Sequence, residues 1–352
     1  MTSGVLCTTA PGLEDVCAQE LGEITGKPVH ENYLGVRGRV LVKCSEYEAL
    51  NLAREINRRS LTIHRAAVLL GGFEIEHRDE RGLEEIRERC QELPFERYIH
   101  EHDTFGVRPS RLGEHDFTSV DVGAAVGDAV IERIKREEGF RPQVDLDAPS
   151  VIVRADVVGD TVIVGVCTTG DRSLHQRGYR VYDHPASLNP VIAQGMLELA
   201  GNPDSLIDPT CGGATVPIEA LLRDPETEAV GVEKFRTHYE GARLNVLAAR
   251  VDVELYLADA TRLFEEVPEL RDCEFDAAVF NPPYGLKIAN PSVVKTLYRG
   301  LASVLSDLVS VAVTVTPRDN WMRAAMEEYG FRLSHDRWVR HGGLDVRLLV
   351  FR

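Results

Sequence analysis

Two rhythms of apolar and polar positions run along the chain. In its first half, β-branched runs and amphipathic stretches alternate in short, irregular blocks. Residues 4–9 read as a strand broken by Pro11-Gly12, and 13–21 carry helical spacing (Leu13, Val16, Cys17, Leu21). Strands are expected over 36–43 and 62–70, with a helix at 47–56 between them. This strand-helix-strand-helix-strand order over 1–79 predicts a small ferredoxin-like α+β unit. A second α+β unit is expected over 80–170. It has a charged helix at 83–93, a strand at 104–109 that Pro109 ends, and a helix at 120–134 with Val122, Val126, Ala129, Val130 and Ile134 on one face. The runs 151–158 and 161–167, separated by Gly159-Asp160, carry a hairpin signal.

Residues 171–187 are polar and read as a linker. Beyond them, over 188–352, the rhythm changes to strand, turn, helix, repeated. Strands are expected at 206–208, 229–232, 253–257, 275–280 and 309–315, with helices between them, and 332–339 and 347–352 close the series. The pattern predicts a Rossmann-like, doubly wound α/β domain: a seven-stranded, mostly parallel sheet ending in an antiparallel hairpin.

In such a sheet, ligands bind at the carboxyl ends of the strands. Asp208 ends the first strand, and the small-residue loop Cys211-Gly212-Gly213-Ala214 lets the backbone approach a bound molecule. Glu233 ends the second strand, with Lys234 beside it, and can accept hydrogen bonds from ribose hydroxyls. Asp259 ends the third and can accept from an adenine amino group, while Ala260 leaves room for the ring. Asp208 can receive an ammonium group. The set fits S-adenosylmethionine, which joins adenosine to an amino acid without a pyrophosphate. The loop supplies neither the G-x-G-x-x-G of a dinucleotide site nor a Walker loop.

The fourth strand stops at Asn281-Pro282-Pro283-Tyr284, because consecutive prolines cannot donate to a sheet ladder. An exocyclic amino nitrogen on a base is a poor nucleophile, its lone pair being delocalised into the ring. The Asn281 side-chain oxygen and the Pro282 carbonyl can accept its two N–H groups and free that lone pair, and Tyr284 can stack on the base. Pro283 holds the loop rigid, and Asn281 also borders the cofactor set. Alone, these four residues support two readings: a strand-to-loop turn, or methylation of a planar nitrogen.

Charge narrows the partners. The net charge is −16, with 40 basic and 56 acidic side chains, and none of the segments 1–79, 80–178 and 179–352 is net basic. A general nucleic-acid binder is therefore excluded, and any RNA surface must be a local patch. Arg108, Arg111, Lys135, Arg136 and Arg141 are the candidates for it, competing with the reading of a solvated face. The seven cysteines are scattered and never in C-x-x-C spacing, which predicts a reducing cytoplasm and no zinc frame. His100 and His102 flank Glu101 without a third ligand nearby, so no metal is expected. Neither a signal peptide nor a membrane span is expected.

Three stretches carry a family resemblance. Residues 208–219 (Asp-Pro-Thr-Cys-Gly-Gly-Ala-Thr-Val-Pro-Ile-Glu) followed by Asn281-Pro282-Pro283-Tyr284-Gly285 resemble the THUMP-domain RNA guanine-N2 methyltransferases. His175-Gln176-Arg177-Gly178-Tyr179-Arg180 is similar to that family's interdomain stretch, and Thr9-Ala10-Pro11-Gly12-Leu13-Glu14 to its N-terminal domain. The resemblance implies a THUMP domain over 80–170 gripping the acceptor end of tRNA, with Arg177 among the RNA contacts, and a monomer. It implies methylation of a guanine amino group. Asn281, where position-10 enzymes tend to carry Asp, favours the position-6 group; position 10, or large-subunit rRNA, is the alternative. The family loop usually reads Cys-Gly-Ser-Gly-Thr, and Gly213-Ala214 replaces its Ser-Gly. Adenine-N6 and protein-glutamine methyltransferases also use Asn-Pro-Pro-Tyr, and a non-catalytic RNA-binding protein on a relict fold is the rival of another class.

Overall fold

The computed structural model describes residues 3–285 and 291–352. The chain forms two compact units. One runs to Thr9 and resumes from Cys17 to Leu174; the other comprises Ala10–Val16 and His175–Arg352.

The first unit is built on one eight-stranded sheet. Its elements are β1 (Gly4–Thr8), α1 (Glu14–Thr25), β2 (Val29–His30), β3 (Arg39–Lys43), α2 (Glu46–Arg59), β4 (Arg65–Glu74), α3 (Glu80–Cys90), β5 (Thr104–Leu112), α4 (Ser119–Glu138), β6 (Gln143–Val144), β7 (Val151–Val158) and β8 (Thr161–Cys167). The strand order is β2-β3-β1-β4-β8-β7-β5-β6. β4 pairs along its length with β8, so residues 1–79 and 80–170 share one continuous sheet inside one compact unit. The two-residue strands β2 and β6 are too short to leave a periodic signal.

β5 corrects one expectation. It continues through Pro109 to Leu112 rather than stopping there. Pro109 pairs with Ala155 of β7, whereas β6 meets β5 only at Thr104 and Phe105. Beyond Phe105 the other edge of β5 has no ladder, and a missing N–H on that side costs nothing.

The second unit is a three-layer α/β domain. It contains α5 (Pro190–Ala200), β9 (Ser205–Asp208), α6 (Thr215–Arg223), β10 (Glu228–Glu233), α7 (Arg236–Ala249), β11 (Glu254–Leu257), α8 (Leu263–Glu266), β12 (Phe275–Phe280), α9 (Pro291–Leu308), β13 (Val309–Thr316), α10 (Asp319–Glu328), β14 (Leu333–His341) and β15 (Leu344–Phe351). The order is β11-β10-β9-β12-β13-β15-β14. The first five strands are parallel; β15 runs antiparallel to β13, and β14 antiparallel to β15.

Alternation along the central strands feeds two cores. Leu206 and Val279 face one side with Val191, Met196, Ile218 and Val313. Ile207 and Phe280 face the other with Val230, Tyr298, Leu305 and Met322. Each such burial contributes about 1.5–3 kcal/mol. Strand order reverses between β9 and β12, where an open α/β sheet leaves a crevice beyond the strand ends. Asp208 and Asn281 lie at those two ends. Among the described residues, no helix is long and apolar enough to cross a membrane.

Candidate active site

The β9 end is a tight, buried loop. The Cys211 N–H donates to the Val232 carbonyl (3.0 Å) and the Ala214 N–H to the Cys211 carbonyl (2.7 Å). Gly212 and Ala214 both take the left-handed conformation, at φ 55° and 60°. Glycine adopts that region freely, whereas a Cβ costs about 1–2 kcal/mol there. Ala214 is fully buried and caps α6 despite this cost.

Two buried carboxylates face this loop. Asp208 is 2% exposed, and its carboxylate accepts from the Thr210 N–H at 3.0 Å. Burial, with the Glu233 charge adding to it, pushes its pKa up to about 8. Glu233 accepts from the Phe235 N–H (2.7 Å) and the Gly212 N–H (3.2 Å), and burial raises its pKa as well. Asp259 behaves differently. Burial works against its charge, but hydrogen bonds from Lys234 Nζ (2.7 Å) and Thr261 (2.7 and 3.1 Å) hold its pKa below the usual value. Ala260 is buried next to it. The donor set therefore offers one buried acid lacking a cation, one carboxylate with lone pairs to spare and one ionised acid at the third strand end. It fits the ammonium, ribose and adenine of S-adenosylmethionine.

The β12 end is neutral and bonded throughout. The Asn281 amide donates through Nδ2 to the Ala186 carbonyl (3.2 Å), and its Oδ1 accepts from the Tyr284 hydroxyl (2.7 Å). These two bonds fix which way the amide points. Its oxygen has a second lone pair for an incoming N–H. Tyr284 packs against the apolar core, and its hydroxyl also lies 3.4 Å from His341 Nδ1. Burial lowers the His341 pKa. Tyr298 donates to the Pro283 carbonyl (3.4 Å) and shares a hydrogen bond with Thr316 Oγ1 (3.0 Å). Tyr284 thus orients Asn281, a task that its reading as a stacking platform did not include.

Of the stretch expected to be a linker, residues 175–187 belong to this unit. Asn245, 2% exposed on α7, accepts from the Tyr182 N–H (2.8 Å) and donates to the Tyr182 and Gly213 carbonyls (both 3.0 Å). It fastens residues 182–187 to the cofactor loop. The His184 ring lies against the loop, so that a Cβ on Gly212 would meet it at 3.5 Å. Ala186 and Asn281 then tie the same segment to the β12 end. None of Asn245, His184, Ala186 or His341 was singled out from the sequence. The available signal was one Asn on the buried side of a helix and a cluster of Tyr and His in a polar stretch.

Arg177 requires a correction. Its guanidinium makes a two-pronged pair with Glu219 (2.9 and 3.0 Å), a fully buried carboxylate that also accepts from the Tyr179 hydroxyl (2.8 Å) and Gln194 (3.0 Å). Arg177 anchors the linker to α6 and is not an exposed phosphate contact. The remaining basic candidates do not form one patch either. Phe105 and Val107 of β5 pack toward α4, so Arg108 projects from the opposite face, where it pairs with Asp171 (2.9 Å). Arg111 bonds to the Gly113 carbonyl (2.9 Å) and His115 (3.2 Å) near the start of α4. Lys135 and Arg136 stand at its other end, about 25 Å along a helix of this length, with Arg141 just beyond. Arg39, Arg65 and Arg154 share the Arg108 face.

Comparison with known proteins gives the family. Residues 177–347 match the RMKL-like methyltransferase domain, and residues 80–166 match the THUMP domain. The chain is 36% identical to a tRNA (guanine(6)-N2)-methyltransferase of Archaeoglobus fulgidus, over 98% of this chain and 91% of that protein. The chain belongs to the THUMP-domain tRNA guanine-N2 methyltransferases. Within this family, an enzyme of the same name from Methanocaldococcus jannaschii is 32% identical over 97% of both chains. The crystal structure of TrmN from Thermus thermophilus superposes with a TM-score of 0.77 at 29% identity, covering 99% of each chain. The β9 and β12 ends both lie within the segment that matches the methyltransferase domain.

Proposed function

We propose that this protein methylates the N2 amino group of a guanosine in tRNA, at position 6 of the acceptor stem, using S-adenosylmethionine. The observation that carries the reading is the Asn281 amide, held at the switch point with its nitrogen on the Ala186 carbonyl and its oxygen toward the Tyr284 hydroxyl. Bound at the β9 end, the cofactor supplies a sulfonium methyl that is already activated.

The chain's own residues do the rest. Asp208 takes the ammonium, Glu233 the ribose, and Asp259 with Lys234 the adenine edge; Cys211, Gly212, Gly213 and Ala214 shape the loop. Asn281 Oδ1 and the Pro282 carbonyl accept the guanine N–H groups, and Pro283 keeps the loop rigid. Most of the rate enhancement comes from alignment. No strong base is required, since the amino nitrogen becomes acidic once methylated. A base in a paired stem must first leave its stack, at a cost of about a few kcal/mol that contacts in the site offset.

For the first unit, the order β1-α1-β2-β3-α2-β4 with sheet order β2-β3-β1-β4 supports a ferredoxin-like reading of 1–79, followed by the THUMP segment. We assign its tRNA contacts to two surfaces: the sheet face carrying Arg39, Arg65, Arg108 and Arg154, and the α4 end carrying Lys135, Arg136 and Arg141. Arg111 lies apart from both. The acidic remainder of the chain disfavours non-specific binding, and we expect a cytoplasmic monomer.

Mass-spectrometric mapping of a tRNA methylated by the purified protein tests the reading. The expected product is N2-methylguanosine in the fragment containing nucleotide 6. Product at nucleotide 10, or in ribosomal RNA alone, would overturn the positional assignment.

A further inference from the structure

Beside the Asn-Pro-Pro-Tyr loop, two cations converge on one aromatic ring. Arg318 Cζ lies 4.9 Å from the centroid of Trp321, and Lys295 Nζ lies 5.2 Å from the same centroid. Their place in the fold follows from the sheet. β12 and β13 are parallel neighbours, with Phe280 opposite Thr314. β13 then ends at Thr316, level with the loop. The Tyr298 hydroxyl joins the Pro283 carbonyl (3.4 Å) to Thr316 Oγ1 (3.0 Å), and the Arg318 N–H donates to that same Oγ1 (2.9 Å). Arg318 is thus tied, through two hydroxyls, to the backbone of the catalytic loop. Lys295 stands in the first turns of α9, the helix that follows the loop.

Among the described residues, most cations of the unit have a carboxylate partner, whereas Arg250, Arg271, Arg332 and Arg352 have none. Arg177, Arg223, Arg262, Arg299, Arg323, Arg337, Arg340 and Arg347 each face a carboxylate. Among the described residues, neither Arg318 nor Lys295 does, in a chain with a net charge of −16. Arg318 Nε, like the Nε atoms of Arg323 and Arg347, is buried without a hydrogen-bond partner, but Arg318 has no carboxylate on its other nitrogens. Two like charges on one ring repel each other, and a buried guanidinium nitrogen without an acceptor costs free energy. The Trp321 quadrupole offsets part of this. An anion seated between the two side chains would remove the repulsion and supply an acceptor.

We propose that Arg318 and Lys295 bind a backbone phosphate of the RNA substrate, beside the nucleotide presented to Asn281. Arginine suits this role because its planar fork can bond two phosphate oxygens, while lysine acts as a point charge. Trp321 holds both cations in place before the RNA arrives. The clamp would fix the sugar-phosphate chain on the β13 side of the loop and so help keep the target base extruded. It adds affinity and alignment without reading sequence.

The inference rests on RNA being the substrate, and the test separates the two claims. Equilibrium binding of tRNA would be measured across a salt series for the wild type, Arg318→Gln, Lys295→Gln and the double variant. S-adenosylmethionine affinity and melting temperature would be followed in parallel. Glutamine keeps an aliphatic stem against Trp321 while removing the charge. Each single variant is expected to weaken tRNA binding by about tenfold and to reduce the slope of log K against log salt by about 1. Cofactor affinity and melting temperature should stay near wild type, and the double variant should lose close to 2 in slope. Wild-type slopes in the correctly folded glutamine variants would overturn the phosphate clamp while leaving the RNA reading standing. Absence of tRNA binding by the wild type would overturn both.

Discussion

The two strand ends that flank the switch point are built on opposite principles. At β9 the site is under electrostatic tension. Asp208 is buried with one neutral partner, Glu233 is buried nearby, and Ala214 holds a backbone conformation that its Cβ disfavours. At β12 there is no buried formal charge in the motif, and its groups are already bonded: Asn281, the proposed acceptor, to Ala186 and Tyr284, and the Pro283 carbonyl to Tyr298, which also bonds Thr316. The difference fits the roles proposed for the two ends. A binding end gains affinity when a ligand supplies the missing cation. A catalytic end gains rate when its acceptors need not move.

The largest effect expected from this contrast is at Asn281. Asn281→Ala should lower kcat by about 10²–10³-fold, with the dissociation constants for tRNA and cofactor close to wild type. Equal losses in binding and turnover would show that the division between the two ends is not real. Asp208→Asn should act in the opposite sense, weakening cofactor binding strongly with less effect on the rate at saturation; calorimetric titration would measure it.

The same residue sets a pH dependence. With its pKa at about 8, Asp208 is protonated in the free protein at neutral pH and must ionise to pair with an ammonium group. Cofactor affinity should rise between pH 6 and 8, by up to about tenfold per unit, and level off above. For stability the sign is reversed. The folded pKa lies above the unfolded carboxylate value, so the folded state retains a proton that the unfolded chain has released. Stability is lost as pH rises from the unfolded value of about 4 toward 8. Asp208→Asn should flatten both curves, and a wild-type slope in that variant would reassign the titration.

Smaller effects sharpen the comparison. Tyr284→Phe leaves the ring in its apolar seat but frees the Asn281 oxygen; a roughly tenfold loss in kcat at unchanged melting temperature is expected, about the worth of one hydrogen bond. Ala214→Gly relieves the left-handed strain and should raise stability by about 0.5–1 kcal/mol after the added flexibility of glycine is offset. A lower melting temperature in that variant would mean that the alanine methyl is gaining more from packing than the backbone loses.

Much of this candidate site was legible in the sequence, for a specific reason. Asp208, Glu233, Asp259 and Asn281 each stand where an apolar run stops, so the periodicity that predicts a strand also marks its carboxyl end. The parallel sheet and its terminal hairpin follow from the same runs. What was not legible depends on register and tertiary contact. Residues 182–187 have no periodicity, and nothing in their order shows that Asn245 binds them to Gly213. Arg108, Lys135 and Arg136 look like one basic cluster along the chain, whereas β-strand alternation puts Arg108 on the face away from α4. Pro109 looks like a stop because a sequence does not say which strand edge is open. Arg177 sits in a polar stretch, and only the fold shows that Glu219 is buried opposite it.

The central claim is that the group presented to Asn281 is the N2 amine of a guanosine at position 6. The most direct measurement is methyl acceptance by a tRNA carrying inosine at that position, a base with the guanine ring but no exocyclic amine. The account predicts full binding of this tRNA and no methyl incorporation. Incorporation comparable to that of the guanosine-containing tRNA would contradict it.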